Sequence, residues 1–455
     1  MKILNPATEE LIKEVEEETT SSLQKKYDAL REGQRRWSKI PLEKRVEPIR
    51  RFSLLLEQNK ESLAKTLTLE VGKPIRESLN ELTGVRKKMQ FFIDHASEIL
   101  KSRLAREETG LKEWLEFEPL GVVANISAWN YPYLVGVNVF IPALIAGNGV
   151  LYKPSEHATL TGIEIGRLLW KSGIPEDLFQ VAIGGGRVGE MVLSLPCDGF
   201  FFTGSYRTGQ SIASAVGSRL IPMGLELGGK DPLYVMEDIR EIRQVAAAAV
   251  EGSFYNNGQS CCAVERIYVQ KKIFEPFLES FLNETKKLKV GDPTDSQTTQ
   301  GSLARPQQIP FLEAQVKDAV NRGARLLAGG KRWGTKGAFF EPTIFTNVNH
   351  TMSLMREETF GPLIGIQQVQ DDEEAVRLMN DTEFGLTAAV YSTSEERARA
   401  VLGQINTGTG YWNCCDRVSP YLPWSGRKHS GLGSTLSFLG LYPFVKPKAY
   451  YLRQP

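Results

Sequence analysis

The sequence predicts an α/β fold: a doubly wound parallel sheet followed by a second α/β unit. Two rhythms and one gap in the charge pattern carry this prediction. Over residues 120–227 the short apolar segments VVANI, GVLYK, FQVAI, GFFFTG and PMGLEL recur at intervals that fit crossover helices, as parallel strands require. From 232 to 409 a second set follows, with VERIYV, RLLAGG, FEPTIF and TAAVYS as strand candidates. Residues 119–152 contain no charged side chain, as expected of strands and a helix covered on both faces.

Taken in order, the first hundred residues read as amphipathic helices laid over this frame. Ser21 or Ser22 is placed to cap a helix reaching Trp37. Ile49, Phe52, Leu55, Leu56, Leu63 and Leu67 recur at helical spacing over 45–69, and a third helix covers 75–100. Residues 107–118 (EETGLKEWLEFE) and 446–452 (KPKAYYL) alternate polar and apolar positions outside both rhythms, so they are expected to pair as strands in an arm. Within the uncharged stretch a strand is expected at 121–126, a turn at 128–133, an apolar helix to Ala146 and a second strand at 149–153. Asn125, Asn130, Asn138 and Asn148, with Pro132 and Pro142, interrupt every 18-residue apolar window. Each buried amide needs a hydrogen-bond partner that hydrocarbon lacks, so the stretch reads as buried core and not as a membrane span.

Composition narrows the function. The 455 residues suffice for two or three domains. Against 54 Asp+Glu, 55 Lys+Arg leave a formal charge of +1. No global field then draws in nucleic acid or an anionic membrane, and small molecules or further copies of the chain are the expected partners. Cys197, Cys261, Cys262, Cys414 and Cys415 include two adjacent pairs, poorly placed to bridge each other. The opening MKILNPATEEL lacks a basic region followed by an apolar one, so a cytoplasmic location is expected. His95, His157, His350 and His429 show no ligand spacing, and no metal is expected.

Five motifs carry chemistry. Gly184, Gly186 and Gly189 in IGGGRVGE satisfy GxGxxG, but no acidic residue closes a following strand at the distance a dinucleotide ribose requires. In FFTGSYRTG a strand runs through Thr203-Gly204-Ser205 into a helix, either an ordinary turn or a set of free amides facing a pyrophosphate. Cys261 in FYNNGQSCCAVERIYV lies between a helix and a strand, as a small core residue or as a thiol held for chemistry. Glu226 lies inside the apolar LELGGK, where partial burial raises a carboxyl toward a useful base. Asn130 in SAWNYP either stabilises its proline-held turn or donates its amide N–H to an oxyanion.

In this order WNYP, YKPSE, FTGS, LELGGK, GQSC and EETFGP resemble the NAD(P)-dependent aldehyde dehydrogenase superfamily, from Asn5-Pro6-Ala7-Thr8 to LPWSGRKHSGLG near the end. The resemblance implies a Rossmann-like cofactor domain (1–104 and 119–228), an α/β catalytic domain (229–432) and a β oligomerisation arm (105–118 and 440–455), assembled as a homodimer or homotetramer. It implies that Cys261, two places after Gln259, is the nucleophile, Glu226 the general base, and Asn130 with the Cys261 backbone N–H the oxyanion hole. Trp129, Lys153, Ser155, Glu156, Gly204, Ser205, Gly209, Leu227, Glu358 and Phe360 are the implied cofactor residues. Among them Lys153 and Glu156 match the adenosine ribose positions, Gly204 and Ser205 the pyrophosphate turn, and Glu358 and Phe360 the nicotinamide end. A carboxylate at Glu156 repels a 2′-phosphate, which favours NAD over NADP. The GxGxxG at Gly184 then falls on a neighbouring βα loop.

The implied reaction is thiolate attack on an aldehyde, hydride loss to leave a thioester, and hydrolysis by water activated at Glu226. A glutamate at that place points away from relatives that pass the acyl group to CoA, and retention of all three groups points away from a non-catalytic structural relative. The implied tunnel includes Tyr131, Val135, Asn138, Ser260, Cys262, Asp416 and Val418. That mixture admits a medium-sized aldehyde or a semialdehyde such as succinate semialdehyde. Arg417 is either a solvated loop side chain or a cation that draws an anionic semialdehyde. The chain departs from the superfamily at Ser434-Thr435-Leu436, where an Arg-Glu pair is common, and at Trp424-Ser425-Gly426, which replaces Phe-Gly-Gly. This unusual segment is expected near the active-site entrance.

Overall fold

A computed structural model describes residues 1–454. Its first sheet has six strands in the spatial order Gly431–Leu432, Met223–Glu226, Gly199–Thr203, Val122–Ile126, Gly149–Lys153 and Phe179–Val181. Neighbours are parallel except Gly431–Leu432, which runs antiparallel to Met223–Glu226. Val122–Ile126 and Gly149–Lys153 are buried along their whole length, which accounts for the missing charges. The winding direction reverses at Val122–Ile126, and a doubly wound sheet opens a ligand crevice beyond the carboxyl ends of its strands at that point.

The apolar helix Pro132–Ala146 begins with proline in its first turn and ends at Gly147, whose φ of 102° suits only glycine. Asn148 next to it is fully buried and fully paired. Its amide donates to Ala143 O at 3.0 Å and Phe444 O at 2.9 Å, and its Oδ1 accepts from Gly121 N at 2.9 Å, as a polar group in the core must. The first helix, Thr20–Trp37, is capped by Thr19, with Ser22 supplying the reciprocal bond, and not by Ser21 or Ser22. The helical run expected over 45–69 is two helices, Leu42–Gln58 and Lys60–Val71. Asn59 breaks it because its side chain bonds back to Leu55 O at 2.7 Å, in competition with the helix. The long helix Ile75–Ile99 follows.

The second sheet has seven strands in the order Arg325–Ala328, Thr343–Thr346, Leu363–Val369, Val264–Gln270, Asp231–Val235, Thr387–Tyr391 and Thr409–Trp412. Only its first pair is antiparallel. Arg103–Glu108, Leu111–Pro119 and Val445–Arg453 form a separate antiparallel sheet, with Val445 opposite Pro119 and Arg453 opposite Leu111. Residues 431–432, expected at the end of the second unit, cross back to the edge of the first sheet. Gly431 makes this possible, since a Cβ there would collide with Leu225 O. Among the described residues no helix is long and apolar enough to cross a membrane, and no group of His, Cys, Asp and Glu is placed to hold a metal ion.

Candidate active site

Cys261 stands on the loop between the helix Ile242–Phe254 and the central strand Val264–Gln270. Asn256, Asn257 and Gly258 run left-handed in succession at φ 52°, 55° and 68°, a path that asparagine and glycine tolerate best. Buried bonds pin it: Asn257 Nδ2 donates to Gly301 O at 2.9 Å, and Gln259 Oε1 accepts from Ala304 N at 3.0 Å. The two adjacent thiols are thereby made different. Cys262 is buried and its Sγ donates to Asp416 Oδ1 at 3.0 Å, which also accepts from Ser260 Oγ at 3.2 Å. The hydrogen bond to Cys261, burial and the Asp416 carboxylate push the Cys262 thiol well above its ordinary value. Cys261 is only half-buried.

Asn130 follows the strand Val122–Ile126 and is tied to the same loop. Its Nδ2 donates to Gln259 O at 3.1 Å, and its backbone O accepts from Asn256 Nδ2 at 3.3 Å. An amide NH2 has two hydrogens, so a turn-stabilising bond still leaves one for an oxyanion. Glu226 ends its strand in a buried setting, and burial pushes its carboxyl up to about 8. Oε1 accepts from Thr435 Oγ1 at 3.1 Å, while Oε2 is buried without a partner. The Ser434-Thr435 segment therefore lies against Glu226. Pairing of Gly431–Leu432 with Met223–Glu226, and reciprocal 2.8 Å backbone bonds between Trp424 and Thr435, bring it there.

Glu358 faces the LELGGK turn, where Oε1 accepts from Gly229 N at 3.0 Å, and burial raises its carboxyl to about 8. The turn that carries it is held from behind. Lys230 pairs with Glu265 at 2.7 Å and donates to Thr359 Oγ1 at 2.9 Å, and Glu265 accepts from the backbone N–H of Thr359 and of Phe360, each at 2.9 Å. These bonds support Phe360 at φ 49°, an uncommon conformation for a bulky residue. Its ring meets Trp129 edge-on at 5.4 Å. Breaking a buried pair strands a charge, so Glu265→Ala is expected to lower stability by about 3–5 kcal/mol and to raise the KM for dinucleotide. Urea unfolding and initial rates measure the two effects, and an unchanged unfolding midpoint contradicts the expectation.

Lys153 and the Gly204-Ser205 turn lie at the carboxyl ends of the two strands that flank Val122–Ile126, where the winding reverses. Lys153 ends its strand, donates to Pro154 O at 3.2 Å, and is pushed down by burial. Glu156 Oε2 accepts from Ser155 Oγ at 3.3 Å. Gly204 N donates to Glu226 O at 3.0 Å, and Ser205 caps the helix Tyr206–Val216. Gly209 lies against Leu227, with no room for a Cβ between them. A helix start, a buried ammonium and a carboxylate around one crevice suit a dinucleotide: amides and ammonium for pyrophosphate and ribose oxygens, carboxylate for ribose hydroxyls. The GxGxxG loop follows the edge strand Phe179–Val181, with Gly185 N bonded to Glu17 Oε1 at 3.2 Å and Gly189 next to the Lys153 side chain. Of the tunnel residues, Tyr131 has the Lys73 ammonium over its ring at 3.8 Å, and Val135 and Asn138 lie on the helix Pro132–Ala146. Val418 is exposed, and Arg417 pairs with Glu251 at 3.5 Å on the surface.

Sequence reasoning missed the buried carboxylates beneath the site. Glu81 pairs with Lys73 at 2.5 Å and accepts from Tyr133 N at 2.8 Å, so it caps the helix after Asn130. Glu77 accepts from Asn256 N at 2.9 Å. Their i, i+4 spacing among Leu82, Val85 and Met89 was the available signal.

Fold and site together define an oxidoreductase that acts on aldehydes. The chain belongs to the aldehyde dehydrogenase family, whose sequence pattern matches residues 1–449. It is 31% identical to 3,6-anhydro-alpha-L-galactose dehydrogenase of Vibrio sp. (strain EJY3), over 99% of this chain and 95% of that protein. It is 33% identical to the peroxisomal aminoaldehyde dehydrogenase 1 of Pisum sativum, over 98% of this chain and 91% of that protein. The solved structure of an indole-3-acetaldehyde dehydrogenase complexed with NAD+ matches with a TM-score of 0.97 at 31% identity, covering 100% of this chain and 93% of that one.

Proposed function

We propose that this protein oxidises a medium-sized aldehyde to its carboxylic acid with NAD, through an acyl group carried on Cys261 and hydrolysed with Glu226 as base. The observation that carries the reading is the division of labour between the open thiol of Cys261, the engaged thiol of Cys262 and the part-buried Glu226, whose Oε2 is buried without a partner. The Cys261 thiolate bonds to the aldehyde carbon, while Asn130 Nδ2 and the Cys261 backbone N–H receive the oxyanion. Lys153, Ser155, Glu156, Gly204, Ser205 and Glu358, with the Trp129 and Phe360 rings, would hold the dinucleotide, which when bound would supply the hydride acceptor. Glu226 then takes a proton from water, the water oxygen bonds to the acyl carbon, and the C–S bond breaks with its electron pair returning to sulfur. Hydrolysis of the acyl group leaves an acid as product.

Absorbance at 340 nm with NAD or NADP and an aldehyde panel tests the reading, with Cys261→Ala as control. Absence of turnover with every aldehyde, despite dinucleotide binding, contradicts it. Arg417 sits on the surface beside Glu251, which supports its reading as a solvated loop side chain. Glu156→Gln removes the charge that opposes a 2′-phosphate and is expected to raise the NADP-to-NAD ratio of kcat/KM about tenfold, equivalent to 1.4 kcal/mol. Initial rates with both dinucleotides decide it, an unaltered ratio counting against Glu156. For assembly, the three-stranded sheet leaves Leu104, Tyr451 and Leu452 exposed, a surface suited to a second copy of the chain.

A further inference from the structure

The two departures from the superfamily pattern, at Trp424-Ser425-Gly426 and Ser434-Thr435-Leu436, form one structural unit. Trp424 N donates to Thr435 O and Thr435 N donates to Trp424 O, each at 2.8 Å. Both residues are buried, and Trp424 packs in the apolar core shared by the first sheet and its covering helices. On the other side Gly431–Leu432 pairs with Met223–Glu226, with Gly431 opposite Glu226. Thr435 is thereby fixed against Glu226, and its Oγ1 donates to Glu226 Oε1 at 3.1 Å.

Glu226 and Thr435 border the same cavity of about 180 Å³, whose walls include Val139, Phe201, Phe444 and Ser434. A carboxyl beside open space is not locked by packing on that side, so its orientation falls to polar contacts. Oε2 is buried without a partner, and the Thr435 hydroxyl is the side-chain donor to Oε1. The helix Pro132–Ala146, which supplies Val139, has no charged residue. The charged group that faces Glu226 is Lys88, on the helix Ile75–Ile99, and its Nζ donates to Leu134 O and Asn138 Oδ1.

We propose that Thr435 is a positioning residue for hydrolysis, whose hydroxyl fixes Glu226 through Oε1 and favours its carboxylate, leaving Oε2 to take the proton from water. This rests on the reading of Cys261 and Glu226 given above. A hydroxyl bonded to a carboxylate donates its hydrogen, and that donation lowers the proton affinity of the carboxylate. Burial pushes Glu226 up to about 8, and the Thr435 bond works against that rise. Glu226 is therefore mostly protonated at pH 7, and the bond enlarges the small ionised fraction that acts as base. Thr435 does this as a neutral donor, so no further charge enters the buried space.

The test follows hydrolysis of p-nitrophenyl acetate without dinucleotide, comparing the full chain with Thr435→Val, Thr435→Ala, Thr435→Ser and Glu226→Gln. A burst of nitrophenolate reports acylation of Cys261, and the slow phase reports deacylation. Thr435→Val keeps the shape of the side chain and removes the donor, and Thr435→Ala removes the donor with less bulk. Both are expected to keep the burst amplitude within about twofold, to move the slow-phase pH limb up by about one unit, and to slow deacylation about tenfold at pH 7. Thr435→Ser, which retains the donor, is expected to restore the limb. A limb of either donor-free variant that superposes on wild type overturns the proposal, as does a serine variant displaced as far as the valine one. A slow phase lowered equally at every pH, with a fallen urea midpoint, marks a merely structural role and overturns it too. A wild-type chain with no burst, or Glu226→Gln with an unaltered slow phase, overturns the acyl-enzyme reading itself, and the role of Thr435 with it.

Discussion

Cys261→Ala is expected to lower aldehyde-dependent NADH formation by about 10⁴-fold or more, because the covalent route has no second nucleophile in reach. The adjacent Cys262 does not substitute. Its thiol is bonded to Asp416 at 3.0 Å, buried, and pushed well up, so little thiolate forms at neutral pH. Cys262→Ala is accordingly expected to keep activity within about tenfold, the change coming from packing and from release of Asp416. Initial rates for both variants, with iodoacetamide labelling of the wild type read by mass spectrometry, check the pair. Comparable losses in the two variants, or alkylation at Cys262 ahead of Cys261, contradict the assignment.

Glu226→Gln is expected to slow turnover by about 10²–10⁴-fold, the range that positioned general bases contribute, while keeping one rapid equivalent of NADH per site. Glutamine preserves the size of the side chain and the bond with Thr435 but accepts no proton from water. The wild-type pH profile follows from the raised carboxyl. With burial holding Glu226 up to about 8, the group is mostly protonated at pH 7 and inactive as a base. The base form accumulates as pH rises, so turnover climbs between about pH 7 and 9. This limb is expected to vanish in Glu226→Gln. Stopped-flow absorbance at 340 nm across this range separates the burst from the steady state, and a variant that loses both equally contradicts a role confined to hydrolysis.

Much of the frame was legible because it rests on local patterns. The segments VVANI, GVLYK and GFFFTG are strands of one parallel sheet, and the uncharged 119–152 stretch is its buried βαβ unit. The alternation in 107–118 and 446–452 appears as paired antiparallel strands. The break at Asn59 and the cap at Thr19 were not legible, since each depends on which side-chain bond wins over a neighbouring residue of similar propensity. Nor was the place of Thr435, which follows from a two-residue strand returning more than two hundred residues later to the first sheet.

The sequence by itself determined the two-sheet α/β architecture, the family, and the residue types at the reacting centre. Periodicity, turn residues and short motifs are properties of neighbours along the chain, and those are present before folding. The tertiary structure decided which of two adjacent thiols is free, what stands behind Glu226, and which carboxylates support the loop. It also buried Lys88, a residue in no motif, with only the neutral acceptors Leu134 O and Asn138 Oδ1. These are questions of which polar groups share a buried space. Burial and partners set the proton affinity of each group, and both are fixed by contacts between residues distant in sequence.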